Sequence, residues 1–137
     1  MPLENERIAS TRQWLEKVRK DLRSAELVLS ASPPETEDAL FHCQQAVEKA
    51  LKAFLVWHDR PFRKVHNIGE LGKQCVEIDP GLEPLLDRAA SLTEYAWAFR
   101  YPGDRPEPDL DEAEQSLVLA RELVKAILAG LPAEARL

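Results

Sequence analysis

The chain has 137 residues, 45% of them apolar, and its 18 basic against 24 acidic side chains give a net charge of −6. This length suits one core, so we expect a single domain over residues 1–137. A net negative charge argues against generic binding of duplex DNA, because such binding neutralises phosphates with basic side chains. No apolar run reaches the roughly 18 residues of a membrane span, and Met1 to Ser10 is too charged for a signal peptide. We therefore expect a cytoplasmic protein that does not enter a membrane.

The cysteines and histidines predict neither a disulfide nor a metal site. Cys43 and Cys75 are too far apart for a CxxC motif, so both are expected to be reduced, packed thiols. His42 and Glu48 are six positions apart, and the chain has no HExxH or His-x3-His spacing. We expect no metal and no cofactor.

Two amphipathic helices are predicted in the first half of the chain. Apolar residues recur at three-and-four spacing from Trp14 onward, which predicts a first helix that ends near Ser30, before the prolines Pro33 and Pro34. A second helix is predicted from Asp38 to about His58, and we expect it to be central. Its apolar seam is Leu40, Cys43, Val47, Ala50, Phe54 and Trp57.

Three alanines repeat every seven positions beside that seam, at Ala39, Ala46 and Ala53. Small side chains let another helix approach closely. We interpret the row as packing within the chain, with a dimer contact as the alternative.

A charged segment without an apolar period, Asp59 to Asn67, predicts a loop. Asn67 is expected to cap a short helix that begins near Ile68 and ends at Asp79-Pro80-Gly81. A further helix is predicted from about Glu83 to Phe99. Its expected inward residues are Leu82, Leu85, Leu86, Ala89, Leu92, Ala96 and Phe99.

The proline-rich segment Pro102 to Pro108 is expected to stay outside the core, and Asp109 to cap the last helix, which ends near Gly130. The apolar stripe of this helix is Ala113, Leu117, Ala120, Val124, Ile127 and Leu131. The elements together predict an all-α fold, an antiparallel up-and-down four-helix bundle with an additional short helix and a core at about residues 11–131.

Several stretches, in the same order, resemble the HEPN domain family of helical proteins found beside minimal nucleotidyltransferases. They are Trp14-Leu15 with Asp21-Leu22, the stretch Phe41 to Leu55 (FHCQQAVEKALKAFL), Lys64-Val65-His66-Asn67-Ile68, and Leu92 to Ala96 leading into Arg100-Tyr101-Pro102-Gly103. The resemblance implies a helical bundle that commonly pairs into a homodimer, and a minimal nucleotidyltransferase as partner, often in a toxin–antitoxin pair. Some family members are metal-independent ribonucleases with an arginine followed four to six residues later by a histidine.

Arg60 and His66 fit that spacing, and a guanidinium can hold a phosphate while an imidazole moves a proton. Two features weaken the match. The pair lies in the loop after the second helix, whereas the ribonucleases of the family carry theirs near a late helix, and Ile68 stands where a tyrosine often follows. Chance spacing on a charged loop is the alternative, so the chain is expected to lack enzyme activity unless this pair is catalytic.

Other residues are candidates for binding a nucleotide or RNA phosphate: Lys64, His66, Arg100, Tyr101, Lys49 and His42. Alternatively, Arg100 is a cation that stabilises the C-terminal end of its helix by interacting favourably with the helix dipole. His42, Gln45, Lys49 and Lys52 share one face of the second helix with Glu48 beside them, and the alternative is a merely solvated stripe. Asp21 is a candidate for a buried ion pair with Lys49 or Arg100. Trp14, Trp57 and Trp97 are expected to anchor the core or an interface.

Three functions are therefore open. The first is a nucleotide- or RNA-associated module that pairs with a minimal nucleotidyltransferase, using the basic loop Arg63 to His66 together with Arg100. The second is a metal-independent ribonuclease toxin, with Arg60 or Arg100 holding the phosphate and His66 as acid or base, and the third is a structural helical adaptor. The first two require the bundle to bring Lys64, His66 and Arg100 to one polar surface.

Overall fold

The structure, a computed structural model, describes residues 2–62, 67–98 and 107–136, with side chains for 3–62, 67–90 and 107–136. Within these residues the chain forms five α-helices: α1 (Pro2–Leu29), α2 (Thr36–Trp57), α3 (Ile68–Ile78), α4 (Glu83–Ala98) and α5 (Leu110–Ala129). Two short 3-10 helices cover Pro80–Leu82 and Ala133–Ala135. The predicted all-α class is confirmed for this part of the chain.

The first helix begins well before Trp14, at Pro2. The charged residues that precede the apolar stripe are good helix formers, and proline is tolerated in a first helical turn. Arg7 in this extension lies with its guanidinium carbon 4.1 Å from the ring centroid of Trp57. The extension is therefore held by a contact with α2 that apolar periodicity does not show.

The second helix is central, as predicted. α2 contacts α1, α3, α4 and α5, and α1 is its most extensive neighbour. The alanines Ala39, Ala46 and Ala53 have no exposed surface. Their burial against other helices of the same chain agrees with the interpretation of the row as packing within the chain.

Two predicted helix caps are confirmed. Asn67 Oδ1 accepts hydrogen bonds from the backbone N of Gly69 at 2.8 Å and of Glu70 at 3.3 Å. Asp109 Oδ1 accepts one from the backbone N of Glu112 at 2.8 Å. Both side chains satisfy amide donors that have no partner inside the first helical turn.

The predicted core stripes are confirmed where side chains are described. Buried residues include Leu82, Leu86, Ala89, Ala113, Leu117, Ala120, Val124, Ile127 and Leu131. Leu85 is half-buried, and the side chains of Leu92, Ala96 and Phe99 lie outside the described residues. Pro108, expected outside the core, is buried. It directly precedes the Asp109 cap, where an apolar residue commonly packs against the first turn of the helix.

Cys43 and Cys75 are buried and form no disulfide. Burial raises the pKa of both thiols to about 12, so they stay protonated at neutral pH. The Sγ of Cys75 lies 3.7 Å from the backbone oxygen of Leu51. Both are packed thiols, as predicted. Over the described residues, no helix combines the length and apolarity needed to cross a bilayer.

Candidate functional site

A set of polar side chains on α2, joined by Asp21 from α1, forms a network that we call the α2 polar cluster. Its members are Asp21, His42, Gln44, Gln45, Glu48, Lys49 and Lys52. Gln44 is fully buried, and only 1% of Glu48 and 7% of Lys52 are exposed. Charged side chains are rarely buried unless they are paired. The cluster is therefore not a solvated stripe.

Asp21 joins the two helices. Its Oδ2 lies 2.6 Å from Lys49 Nζ, and its Oδ1 lies 3.0 Å from His42 Nδ1. The carboxylate is nearly buried, with 11% of its side chain exposed. The predicted ion pair of Asp21 with Lys49 is confirmed, whereas Arg100, the other predicted partner, lies outside the described residues.

The Asp21 carboxylate also fixes the orientation of the His42 ring. An ionised carboxylate only accepts hydrogen bonds, so Nδ1 of His42 donates to it. In the neutral ring Nε2 is then an acceptor, and in the protonated ring it becomes a second donor. The His42 side chain is 28% exposed, so part of this ring is open to solvent.

Glu48 is the centre of the buried half of the cluster. Its Oε1 accepts from Lys52 Nζ at 2.9 Å, and its Oε2 accepts from the Nε2 atoms of Gln44 at 3.1 Å and Gln45 at 3.4 Å. The amide of Gln45 also donates to Gln44 Oε1 at 2.8 Å. Glu48 and Lys52 are one turn apart on α2, so the helix itself brings their charges together.

Two aromatic rings cover the Lys52 end of the cluster. The Nζ of Lys52 lies 5.3 Å from the centroid of Trp14 and 5.8 Å from that of Phe62. These rings meet edge to face with centroids 6.3 Å apart. A cation near an aromatic face is stabilised by the ring quadrupole. Sequence reasoning missed Phe62, because it is a single aromatic residue in a charged segment without an apolar period.

Of the remaining predicted site residues, the structure describes Arg60 but not the others. Arg60 is exposed and pairs through NH1 with Glu77 Oε2 of α3 at 3.3 Å. Lys64, His66, Arg100 and Tyr101 lie outside the described residues, so both the catalytic pairing of Arg60 with His66 and the shared phosphate surface stay predictions. Of the predicted phosphate-binding residues, the described part brings together His42 and Lys49.

The described side chains include no cluster of three or more histidines, cysteines, aspartates or glutamates arranged to hold a metal ion. The cations of the α2 polar cluster are instead paired with carboxylates of the same cluster. Any ligand that binds there has to share these side chains with Asp21 and Glu48.

These features define a small helical module whose central helix carries a buried, internally paired charge network. The sequence profile of the HEPN domain matches residues 11–131, and the chain therefore belongs to the HEPN domain family. Membership of this family associates the chain with a nucleotide- or RNA-related function. No curated protein and no solved structure matches the chain.

Proposed function

We propose that the chain is a nucleotide- or RNA-associated HEPN module that pairs with a minimal nucleotidyltransferase in a two-gene system of the toxin–antitoxin kind. In this proposal residues 1–137 form a single domain with a core at about 11–131. The helices α1, α2, α4 and α5 form an antiparallel up-and-down bundle, and α3 is the additional short helix. Two copies pair into a homodimer.

The observation that carries this proposal is the contact of one carboxylate, Asp21, with both His42 and Lys49. An ammonium group has three donors, so Lys49 can bind a phosphate oxygen while it keeps Asp21. The His42 ring is oriented by the same carboxylate, and its Nε2 can serve as a second contact. Groups held in place before a ligand arrives lose little freedom on binding.

The proposed site is completed by residues assigned from the sequence. Lys64, His66, Arg100 and Tyr101 are the proposed further phosphate contacts. The positive charge of Lys64 and Arg100 is needed because the cations of the α2 polar cluster are already balanced by Asp21 and Glu48. Arginine suits this role, since its planar guanidinium can hold two phosphate oxygens at once.

The described part of the chain does not add support to a ribonuclease that uses Arg60 and His66. Arg60 donates through NH1 to Glu77, which leaves its other N–H groups for a phosphate, and its catalytic pairing with His66 stays a prediction. A purely structural adaptor needs none of the proposed ligand contacts. An adaptor should show no binding when nucleotides or RNA are titrated into the chain, whereas our proposal predicts binding.

Two measurements test the proposal. The nucleotidyltransferase encoded beside this chain, expressed with it, should copurify as a complex. ATP and a short single-stranded RNA should be titrated by calorimetry into the wild type, His42→Gln and Lys64→Gln, with Lys17→Gln as an exposed control on α1.

We expect one ligand class to bind and each of the first two variants to weaken it about tenfold, which corresponds to the loss of about 1.4 kcal/mol. The control should leave the affinity unchanged. If neither ligand binds and no nucleotidyltransferase copurifies, the adaptor is the better explanation. Growth arrest on overexpression that His66→Ala relieves would instead favour the ribonuclease.

A further inference from the structure

A groove lies between α1 and α5, and neither His42 nor Lys49, the described residues of the proposed nucleotide site, lines it. It is lined by Leu15, Val18, Arg19, Leu22, Val124 and Leu128, and its volume is about 200 Å³. Five of these six side chains are aliphatic. No member of the α2 polar cluster lines the groove, so what binds there is a separate question.

Basic side chains lie on both borders of this groove. Arg19 lines it, and the exposed cations Arg12 and Arg23 on α1 and Arg121 and Lys125 on α5 are each three or four positions from a lining residue, so they share its side of the helix. Arg19 pairs with Glu16, and Arg121 pairs with Glu26 across the two helices. Among the described residues Arg12, Arg23 and Lys125 have no ion-pair partner. Five cations against these two carboxylates leave this surface positive in a chain of net charge −6.

We propose that this groove docks an amphipathic helix of a partner protein, with aliphatic side chains on one face and aspartates or glutamates on both flanks. Leu15 to Leu22 spans about two helical turns, or roughly 10 Å, which suits a row of anchors spaced by three or four residues. The aliphatic anchors fill the groove. The acidic flanks meet the unpaired cations on its borders.

Other occupants fit this surface less well. Single-stranded RNA binds largely by stacking bases on aromatic rings, and none of the described residues that line this groove is aromatic. Its volume is below the roughly 300–1,000 Å³ of pockets that enclose small molecules. A second copy related by a two-fold axis would bring the same basic surface against itself, which like charges oppose.

The test uses a fluorescent synthetic peptide, an acidic helix with leucines at every third and fourth position and glutamates on the flanks. Its anisotropy is measured on titration with the full chain at 50 mM and 300 mM salt. We expect saturable micromolar binding that weakens at the higher salt, because the borders of the groove contribute charge pairs. A peptide with serines in place of leucines should bind at least tenfold more weakly.

Two matched charge reversals locate the binding. Arg23 is exposed on α1, one turn beyond Arg19 on the border of the groove. Lys17 is exposed on the same helix but outside the groove, so Lys17→Glu makes the same change of charge at a control position. We expect Arg23→Glu to weaken peptide binding about tenfold and Lys17→Glu to leave it unchanged. Leu22→Ala should weaken it as well, with circular dichroism confirming that each variant is folded.

The proposal is overturned if the leucine peptide does not bind, if the serine peptide binds equally well, or if the two charge reversals have equal effects. Fluorescent oligouridine and analytical ultracentrifugation provide the remaining controls. RNA binding that Arg23→Glu abolishes would assign the surface to RNA, and a self-associated chain that Arg23→Glu dissociates would assign it to a second copy. Either result overturns the proposal and leaves the proposed nucleotide site untouched.

Discussion

Asp21 Oδ2 lies 2.6 Å from Lys49 Nζ, and this ion pair joins two helices through residues 28 positions apart in the chain. The same carboxylate holds His42 at 3.0 Å. A single side chain of α1 therefore sets the positions of two α2 groups to which we assign ligand binding. Its removal should affect stability and ligand affinity together.

Asp21→Asn should lower the free energy of unfolding by about 1.5–3 kcal/mol, the range for a hydrogen bond to a charged group. The loss stays below that of a fully buried pair, because 23% of the Lys49 side chain is exposed and can be hydrated. Urea denaturation at pH 7 measures it. Glu26→Gln is the control, since its ion pair with Arg121 is solvent-exposed and should contribute at most about 1 kcal/mol. Equal losses in both variants would contradict the assigned burial of the Asp21 pair.

Removing one partner from the ion pair of Glu48 with Lys52 should lower the free energy of unfolding more than removing Asp21, because only 2% and 8% of the two side chains are exposed. Lys52→Met removes the ammonium group that pairs with this buried carboxylate, and we expect a loss of about 3–5 kcal/mol. The double variant Glu48→Gln/Lys52→Met removes both charges and should be more stable than Lys52→Met alone. Chemical denaturation of the two single variants and the double variant completes a cycle. Strictly additive losses would show that the two charges do not interact.

Much of this fold follows from local sequence rules. The caps at Asn67 and Asp109 and the bounds of α2 depend on residues within one or two turns of each other, so the sequence predicts them well. Apolar periodicity does not predict the start of α1 at Pro2, although local helix propensity permits it. The contact of Arg7 with Trp57, which lies on another helix, supports this extension.

The candidate site was predictable only in part for the same reason. The ion pair of Asp21 with Lys49 could be predicted because an acidic residue among apolar neighbours needs a cation. The burial of Glu48 and Lys52 could not, because charged residues on a helix face are usually solvated. The cover over Lys52 comes from Trp14 and Phe62, which lie outside α2, so spacing along that helix does not reveal it.

Acidification should destabilise the chain through His58. Burial, and then the nearby charges of Arg7 and Arg60, lower the pKa of His58, while Asp79 acts in the opposite direction. Its Nε2 is buried and has no hydrogen-bond partner within the described residues, so a proton there would be poorly solvated. The unfolded chain, in which the ring titrates near about 6.5, therefore binds this proton more tightly than the folded chain.

The stability that neutral His58 contributes is thus complete above about pH 6.5 and is lost as the pH falls through the lower pKa of the folded state. The free energy of unfolding of the wild type should fall relative to that of His58→Gln between pH 7.5 and 5. An NMR titration of the His58 ring should give a pKa below its ordinary value, and Arg7→Gln should raise it. A folded pKa at or above the ordinary value would contradict the prediction.

The end of α2 offers a position where a substitution should stabilise the chain. Asp59 has a φ of 54°, in the left-handed region that favours glycine. Its backbone N donates to Val56 O at 3.1 Å, and that of Arg60 donates to Leu55 O at 2.9 Å. This is the hydrogen-bond pattern in which glycine commonly ends a helix.

Asp59→Gly removes the Cβ that opposes this conformation and should raise the free energy of unfolding by up to about 1 kcal/mol. The gain is limited because glycine also increases the freedom of the unfolded chain. Asp59→Val is the matched opposite, since a β-branched side chain fits this region poorly, and it should be less stable than the wild type. Thermal denaturation of the three proteins gives the order. If Asp59→Gly were as destabilised as Asp59→Val, the aspartate side chain would have to stabilise this turn by contacts that outweigh its unfavourable backbone conformation.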